Sequence, residues 1–262
     1  MHSILPFFPS IFYAFQANES KNFNSNYFYK FVGPFNTQLE KEIKPLLKEK
    51  NITCDIAIRE VVNPCVCAAF GTNMSEKNPA LILIPPEFHK TDEKACQFLT
   101  KHEIGHIKNN DCFTIPLVTC ICSAAAAIFG AFTLPWVAST FLAGVVSAVA
   151  LTLFTLWREG KADDFAIENS TNEELLGGRR MFIASKQANL SERTTFWKKI
   201  AFTSDGEDRF DIMHPSLNSR VKKIEKELAK RRFSIDQVRE TERIDILKQF
   251  MIDFIKKVSQ SK

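Results

Sequence analysis

Residues Leu99–Asp111 read LTKHEIGHIKNND, and the next 46, Cys112–Trp157, read CFTIPLVTCICSAAAAIFGAFTLPWVASTFLAGVVSAVALTLFTLW, with no Asp, Glu, Lys, Arg or His. The junction of a polar, histidine-bearing segment with an uncharged one decides the architecture. One helical span of a bilayer takes roughly 20 apolar residues, so this run suits two spans. Dividing it near Gly130–Pro135 predicts two helices of about 20–23 residues, each about 30–34 Å long. Gly130 and Pro135 supply the turn between them, and Pro116 falls in the first turns, where a missing N–H costs least. Frequent Ala, Gly, Ser and Thr let two such helices approach closely. The alternative, an apolar hairpin buried inside a soluble domain, conflicts with the charge that a soluble helix carries on its wet face. Lys101 and Lys108 precede the run, Arg158 and Lys161 follow it, and the connection holds no cation. The positive-inside rule therefore places both flanks in the cytoplasm, which in a bacterium means the inner membrane.

Away from the run the chain is ordinary. It has 262 residues, 34 Lys+Arg against 30 Asp+Glu, and 45% apolar content. All 64 charged residues (34 + 30) lie in the other 216 positions, so that part is about 30% charged, and the apolar fraction excludes a disordered chain. A net charge of +4 is too small for a nucleic-acid binder. The expected organisation is 1–111, then the hairpin 112–157, then 158–262. Residues 4–15 (ILPFFPSIFYAF) are too short to span and lack a cationic n-region and an A-x-A site, so they read as an interfacial or core-packing segment rather than a signal peptide. The seven cysteines include C-x-C pairs at Cys65/Cys67 and Cys120/Cys122. Neither has metal-knuckle spacing, and reduced, buried thiols are expected. Leu217, Val221, Ile224 and Leu228 recur at helical spacing among Lys and Glu, and a second amphipathic helix is expected over Ile235–Val258.

The chemistry concentrates around the run. His102 and His106 are four apart, so on a helix both imidazoles project from one face towards one metal. Glu103 lies beside them, placed to polarise a water in the metal's open position. Gly105 inside the motif lets another element come close. Thr91, followed by Asp92 and Glu93, suits the helix start. A catalytic zinc wants three protein ligands and one open position. At the exit of the run stands WREGKADDFAIE, where Glu159 and Asp163 share a helical face. Glu159 is assigned as third ligand and Asp163 as the acceptor that fixes a histidine tautomer, with Asp164 as competitor.

Three motifs, in order, resemble the integral-membrane zinc metallopeptidases of the HtpX and CAAX-prenyl-endopeptidase type: HEIGHIKNND, EGKADDFA and HPSLNSRVKKI (His214–Ile224). The resemblance implies an α+β, predominantly α-helical fold: a zincin-like domain with the HExxH helix, a small β-sheet edge and a transmembrane helical hairpin. It implies a metalloendopeptidase with one Zn²⁺ per chain, acting on proteins or peptides at the lipid bilayer, with self-association allowed. It also implies that His214 stabilises the oxyanion and that Arg220 orders the site or the substrate backbone. The stretch Asn63–Phe88 resembles the family's segment in which a strand edge receives the substrate, and Leu81–Ile84 is expected to be that edge. Members usually begin with a transmembrane hairpin, and this chain has the short stretch 4–15 in its place. With His106 six residues before the run and Glu159 two after it, the metal would lie within roughly 10 Å of the membrane surface. Membrane proteins or membrane-proximal tails, as in quality control, are the expected substrates. The competing readings are a maturation or sensor protease with one substrate, an inactive zinc-binding scaffold, and a soluble zinc hydrolase of small molecules.

Overall fold

The computed structural model describes residues 32–61, 68–74, 80–85, 87–234 and 243–253. The stretch 4–15 and the Cys65/Cys67 pair lie outside them. In chain order the elements are β1 (Val32–Phe35), α1 (Thr37–Glu49), β2 (Ile56–Val61), β3 (Ala68–Phe70), β4 (Ala80–Ile84), α2 (Phe88–Thr91) and α3 (Glu93–Lys108). There follow α4 (Asp111–Thr133), α5 (Trp136–Asn169), α6 (Asn172–Glu192), α7 (Phe196–Ala201) and α8 (Leu217–Lys230).

The sheet has the order β1-β2-β4-β3, with β2 and β4 parallel and both outer pairs antiparallel. β4 is therefore internal, which corrects the expectation that Leu81–Ile84 is an edge. Ala80, Ile82, Leu83 and Ile84 are all buried, and a strand apolar on both faces belongs inside a sheet. The edge on that side is the short β3, within the same Asn63–Phe88 stretch.

Helix α3 starts one residue later than expected. Thr91 ends α2, and the cap is Asp92, whose carboxylate accepts the Ala95 N–H at 3.0 Å. Asp92 also receives the buried Arg180 through Nε at 2.8 Å, so one carboxylate caps α3 and ties it to α6. That contact needs glycine: a Cβ on Gly177 would lie 2.4 Å from the Ala95 nitrogen. Leu39, Ile58, Ile82, Phe98, Leu175 and Ile224 contribute to the core where the sheet, α3, α6 and α8 meet. Residues 243–253 are helical, inside the second C-terminal helix expected from sequence. Ile244 and Leu247 are buried there, and Phe250 stacks on Phe88 at 5.6 Å.

The uncharged run is a helical hairpin that turns at Leu134–Pro135, where the sequence divided it. Both helices are long and apolar enough to cross a membrane. Their apolar side chains face outward rather than into the domain: Phe132, Trp136 and Phe141 are 87%, 80% and 74% exposed. The two helices approach through small residues. The Ser123 and Ser147 hydroxyls are 2.5 Å apart, and a Cβ on Gly130 would lie 2.4 Å from Ser139 Oγ. Not every cysteine is buried as expected. Cys54 and Cys96 are, whereas Cys120 is exposed on the outer side of α4. Helix α5 continues unbroken from the run to Asn169.

Candidate metal centre

Two helices bring the ligand set together, and one glycine sets their spacing. A Cβ on Gly105 would sit 2.9 Å from Ala162 Cα, so its absence lets α3 lie directly on α5. Across that contact His102 and His106 on α3 meet Glu159 on α5. His102 Nε2 is 3.1 Å from His106 Nε2 and 3.2 Å from Glu159 Oε2, and His106 Nε2 is 3.3 Å from Glu159 Oε1.

The donor chemistry fits a metal. His102 Nδ1 is 3.0 Å from Asp163 Oδ1, and His106 Nδ1 is 2.7 Å from Asp111 Oδ2. Each Nδ1 donates its proton to a carboxylate, so in the neutral rings both Nε2 lone pairs face the same point. Glu159 Oε2 is buried and forms no hydrogen bond of acceptable geometry, despite its closeness to His102. The two Nε2 atoms are separated by 3.1 Å, close to the roughly 3.3 Å edge of a tetrahedron with bonds of about 2.0 Å, and each has its own Glu159 oxygen at 3.2–3.3 Å, so one ligand atom from each of the three residues lies within 4.8 Å of the others. Among the described residues, these three side chains form the group able to hold an ion. Glu103, next to His102 on α3, is buried beside it.

Behind each histidine stands a carboxylate, and behind each carboxylate an arginine. Arg220 on α8 reaches Asp163 through Nε (2.9 Å to Oδ2) and Nη2 (2.5 Å to Oδ1), with its guanidinium over the Phe182 ring. Arg158 on α5 binds Asp111 and also the Asn109 carbonyl. The first of these chains, His102–Asp163–Arg220, consists of residues singled out from sequence. The second, His106–Asp111–Arg158, was missed. Its signal was a charged residue on each side of the run, Asp111 heading α4 and Arg158 leaving the apolar part of α5. Asp164, the competitor, points elsewhere and pairs with Lys223 at 2.8 Å.

Electrostatics follow from these partners. Burial alone would raise the Asp163 carboxyl, but the Arg220 and His102 charges outweigh it and hold the group at about 2. Burial likewise opposes ionisation of Glu159, and the two histidines overcome it, holding the carboxyl well below its ordinary range. Burial opposes charge on His102 and His106 as well; the Asp163 and Glu159 carboxylates raise the first, and Asp111 with Glu159 raises the second strongly.

His214 stands on the open side of this cluster, with Nε2 3.8 Å from Glu159 Oε1 and a half-exposed side chain. Its Nδ1 is 2.7 Å from Asp211 Oδ1, a partner that sequence reading did not single out. Burial lowers its basicity, but the Asp211 hydrogen bond and the Glu159 charge reverse that and raise it. When protonated, the ring has an Nε2–H to donate on this open side. Arg220, by contrast, is buried, and its contacts are with Asp163, His102 and Phe182.

No curated protein and no solved structure matches the chain. The family model of Peptidase family M48 matches residues 36–228, a range that holds β2 to β4, α3, the hairpin, Glu159 and the His214–Arg220 segment. The chain is a metallopeptidase and belongs to Peptidase family M48.

Proposed function

We propose that the chain is a membrane-embedded zinc metalloendopeptidase that cuts membrane or membrane-proximal proteins in quality control, its catalytic domain facing the cytoplasm. The observation that carries the reading is the convergence of His102, His106 and Glu159 beside Glu103, at the foot of two outward-facing apolar helices. A zinc ion bound there supplies Lewis acidity to a water and to the scissile carbonyl. His102, His106 and Glu159 hold it, and Asp163 and Asp111 keep the two imidazoles turned towards it.

Glu103 takes a proton from the attacking water and delivers it to the leaving amine. His214, oriented by Asp211, donates its Nε2–H in the protonated form to the oxyanion that develops on the carbonyl. Arg220 holds Asp163 and acts on catalysis through it. The bilayer supplies the apolar surroundings that Phe132, Trp136 and Phe141 lack in the protein itself. Glu159 is two residues past Trp157, so cleavage takes place close to the membrane surface, where a membrane-tethered chain is concentrated. An intact Glu103 argues against an inactive scaffold, which needs the ligands but not the base.

Detergent-purified protein tests the reading. Wild type is expected to carry one zinc per chain, to cleave a membrane-tethered substrate faster than casein, and to lose activity to a chelator. Glu103→Gln should keep the metal and lose cleavage. A fully active Glu103→Gln protein overturns the assignment of the base, and equal rates on soluble and tethered substrates overturn the preference for the membrane.

A further inference from the structure

Residues 193–213 join the end of α6 to His214 and carry a cluster of bare apolar side chains. Phe196 and Trp197 are 69% and 75% exposed and stack edge-to-face with centroids 5.4 Å apart; Ile200, Phe210 and Ile212 are also exposed. A soluble surface rarely concentrates large apolar groups in this way without a partner.

Contacts along the helices show which end of the domain this is. Helix α8 climbs beside the polar part of α5: Arg220 meets Asp163, Lys223 meets Asp164 at 2.8 Å, and Arg231 meets the Ile167 carbonyl at 3.0 Å. Helix α6 descends against α8: Arg231 meets Asn172 at 3.4 Å, Arg179 meets Glu225 at 2.8 Å, and Lys186 meets Asn218. So α6 returns towards the apolar hairpin. Lys186 is level with the start of α8 and hence close to the level of Asp163, about 9 Å past Trp157; the rest of α6 descends up to about 9 Å more. The other end of the segment is pinned independently, because His214 lies 3.8 Å from Glu159, two residues beyond Trp157. Both ends therefore bring the exposed aromatics to the level at which the hairpin leaves its apolar zone.

Charge completes the match to a lipid surface. The four acidic groups of the segment are each engaged within the protein: Asp205 with Thr203 and Asn218, Glu207 with the N–H groups of Leu217 and Asn218, the exposed Asp208 with the Phe210 N–H, and Asp211 with His214. Lys198 pairs with Glu192, while Lys199, beside the aromatics, is exposed and has no side-chain partner among the described residues. Aromatic rings flanked by lysine are the composition of an interfacial anchor.

We propose that Phe196 and Trp197 of α7, with Lys199, form a third contact with the bilayer, inserting at headgroup depth and seating the open side of the metal cleft against the lipid surface. The proposal rests on the membrane reading above, and its test separates the two. Tryptophan occurs at three positions, 136, 157 and 197. The full chain is reconstituted in phosphatidylcholine–phosphatidylglycerol vesicles containing lipids brominated near the headgroup or deep in the chains. Trp136→Phe/Trp157→Phe isolates Trp197, and Trp197→Phe isolates the hairpin pair; subtracting Trp197→Phe from wild type provides the same signal should the double variant misfold.

Trp197 emission is expected to be lost mainly to the shallow bromines, and less so after Lys199→Glu or without phosphatidylglycerol. If the hairpin tryptophans are quenched while Trp197 is not, the third contact is overturned and the membrane reading stands. A Trp197 shielded from both bromolipid and acrylamide, as cover by a second copy or by residues 4–15 would shield it, overturns the contact in the same way. If no tryptophan is quenched, both fall.

Discussion

Asp111, the first residue of α4, and Arg158 in α5 form a buried ion pair, and the second Asp111 oxygen holds His106 Nδ1 at 2.7 Å. The two helices of the hairpin are thus joined at the point where one of them orients a histidine of the candidate metal centre. Outer groups of this kind set ring orientation and basicity, and their loss typically costs 10–100-fold in metal affinity. Asp111→Asn and Arg158→Gln should each weaken zinc binding by about that factor in a chelator competition. Glu103→Gln should leave the affinity near wild type. Wild-type affinity in both stem variants would deny the pair a role in holding His106.

Gly105→Ala and Gly160→Ala should have opposite effects. At Gly105 the new methyl would press on the Ala162 backbone at 2.9 Å, so α3 and α5 must separate. Overpacking of this sort costs about 1–3 kcal/mol and would pull His106 away from Glu159. At Gly160 a Cβ meets nothing within 4 Å, and alanine should stabilise the helix by up to about 1 kcal/mol. Thermal melts of metal-free and zinc-loaded protein measure both; equal shifts in the two variants would show that the helix contact is not tight.

Acid stability of the metal-free protein should follow the Asp163–Arg220 pair. The Asp163 carboxyl is held at about 2 against an ordinary 3.8, so it is depressed in the folded state. Its contribution is present above about pH 4 and is lost as the pH falls towards 2, with a size of about 2 kcal/mol. In denaturant titrations from pH 6 to 2, wild type should lose this increment and Asp163→Asn, less stable throughout, should not. Parallel curves for the two proteins would contradict the assignment.

Cys96 should be inert until the domain opens. It is fully buried on the inner face of α3, and that burial pushes its thiol up to about 12. Alkylation at pH 8 followed by peptide mass analysis should find Cys96 modified only in denaturant, at the midpoint seen by circular dichroism. Modification under native conditions would reveal local opening of the ligand helix.

The parts of this molecule legible in sequence were those whose physics is local. An i, i+4 histidine pair, a carboxylate set i, i+4 on a second helix and 46 residues without charge each announce their geometry through helical spacing or the cost of burying charge. The parts that were missed depend on how distant elements meet. Asp111 read as a polar residue ahead of the run because its partner, Arg158, is 47 positions away and counted as a flanking cation. Leu81–Ile84 read as an edge because its apolar run does not say how many neighbours it has; β2 and β3 on either side make it internal. Thr91 and Asp92 both qualify as caps by type, and the buried Arg180 explains why the carboxylate takes the position.

Glu159 lies 53 positions beyond His106, with the entire hairpin made between them. A growing chain therefore carries both histidines and Glu103 well before it has Glu159, and Arg158, which steadies His106 through Asp111, also comes late. Arg220 and His214 arrive later still. On the proposed function, a half-synthesised copy would neither retain a metal firmly nor polarise a carbonyl, and proteolytic power would arise only when the hairpin has turned back and α5 has docked on Gly105. Chain order would then act as a safety catch, keeping the proposed enzyme from cutting itself or its neighbours while it is still being built.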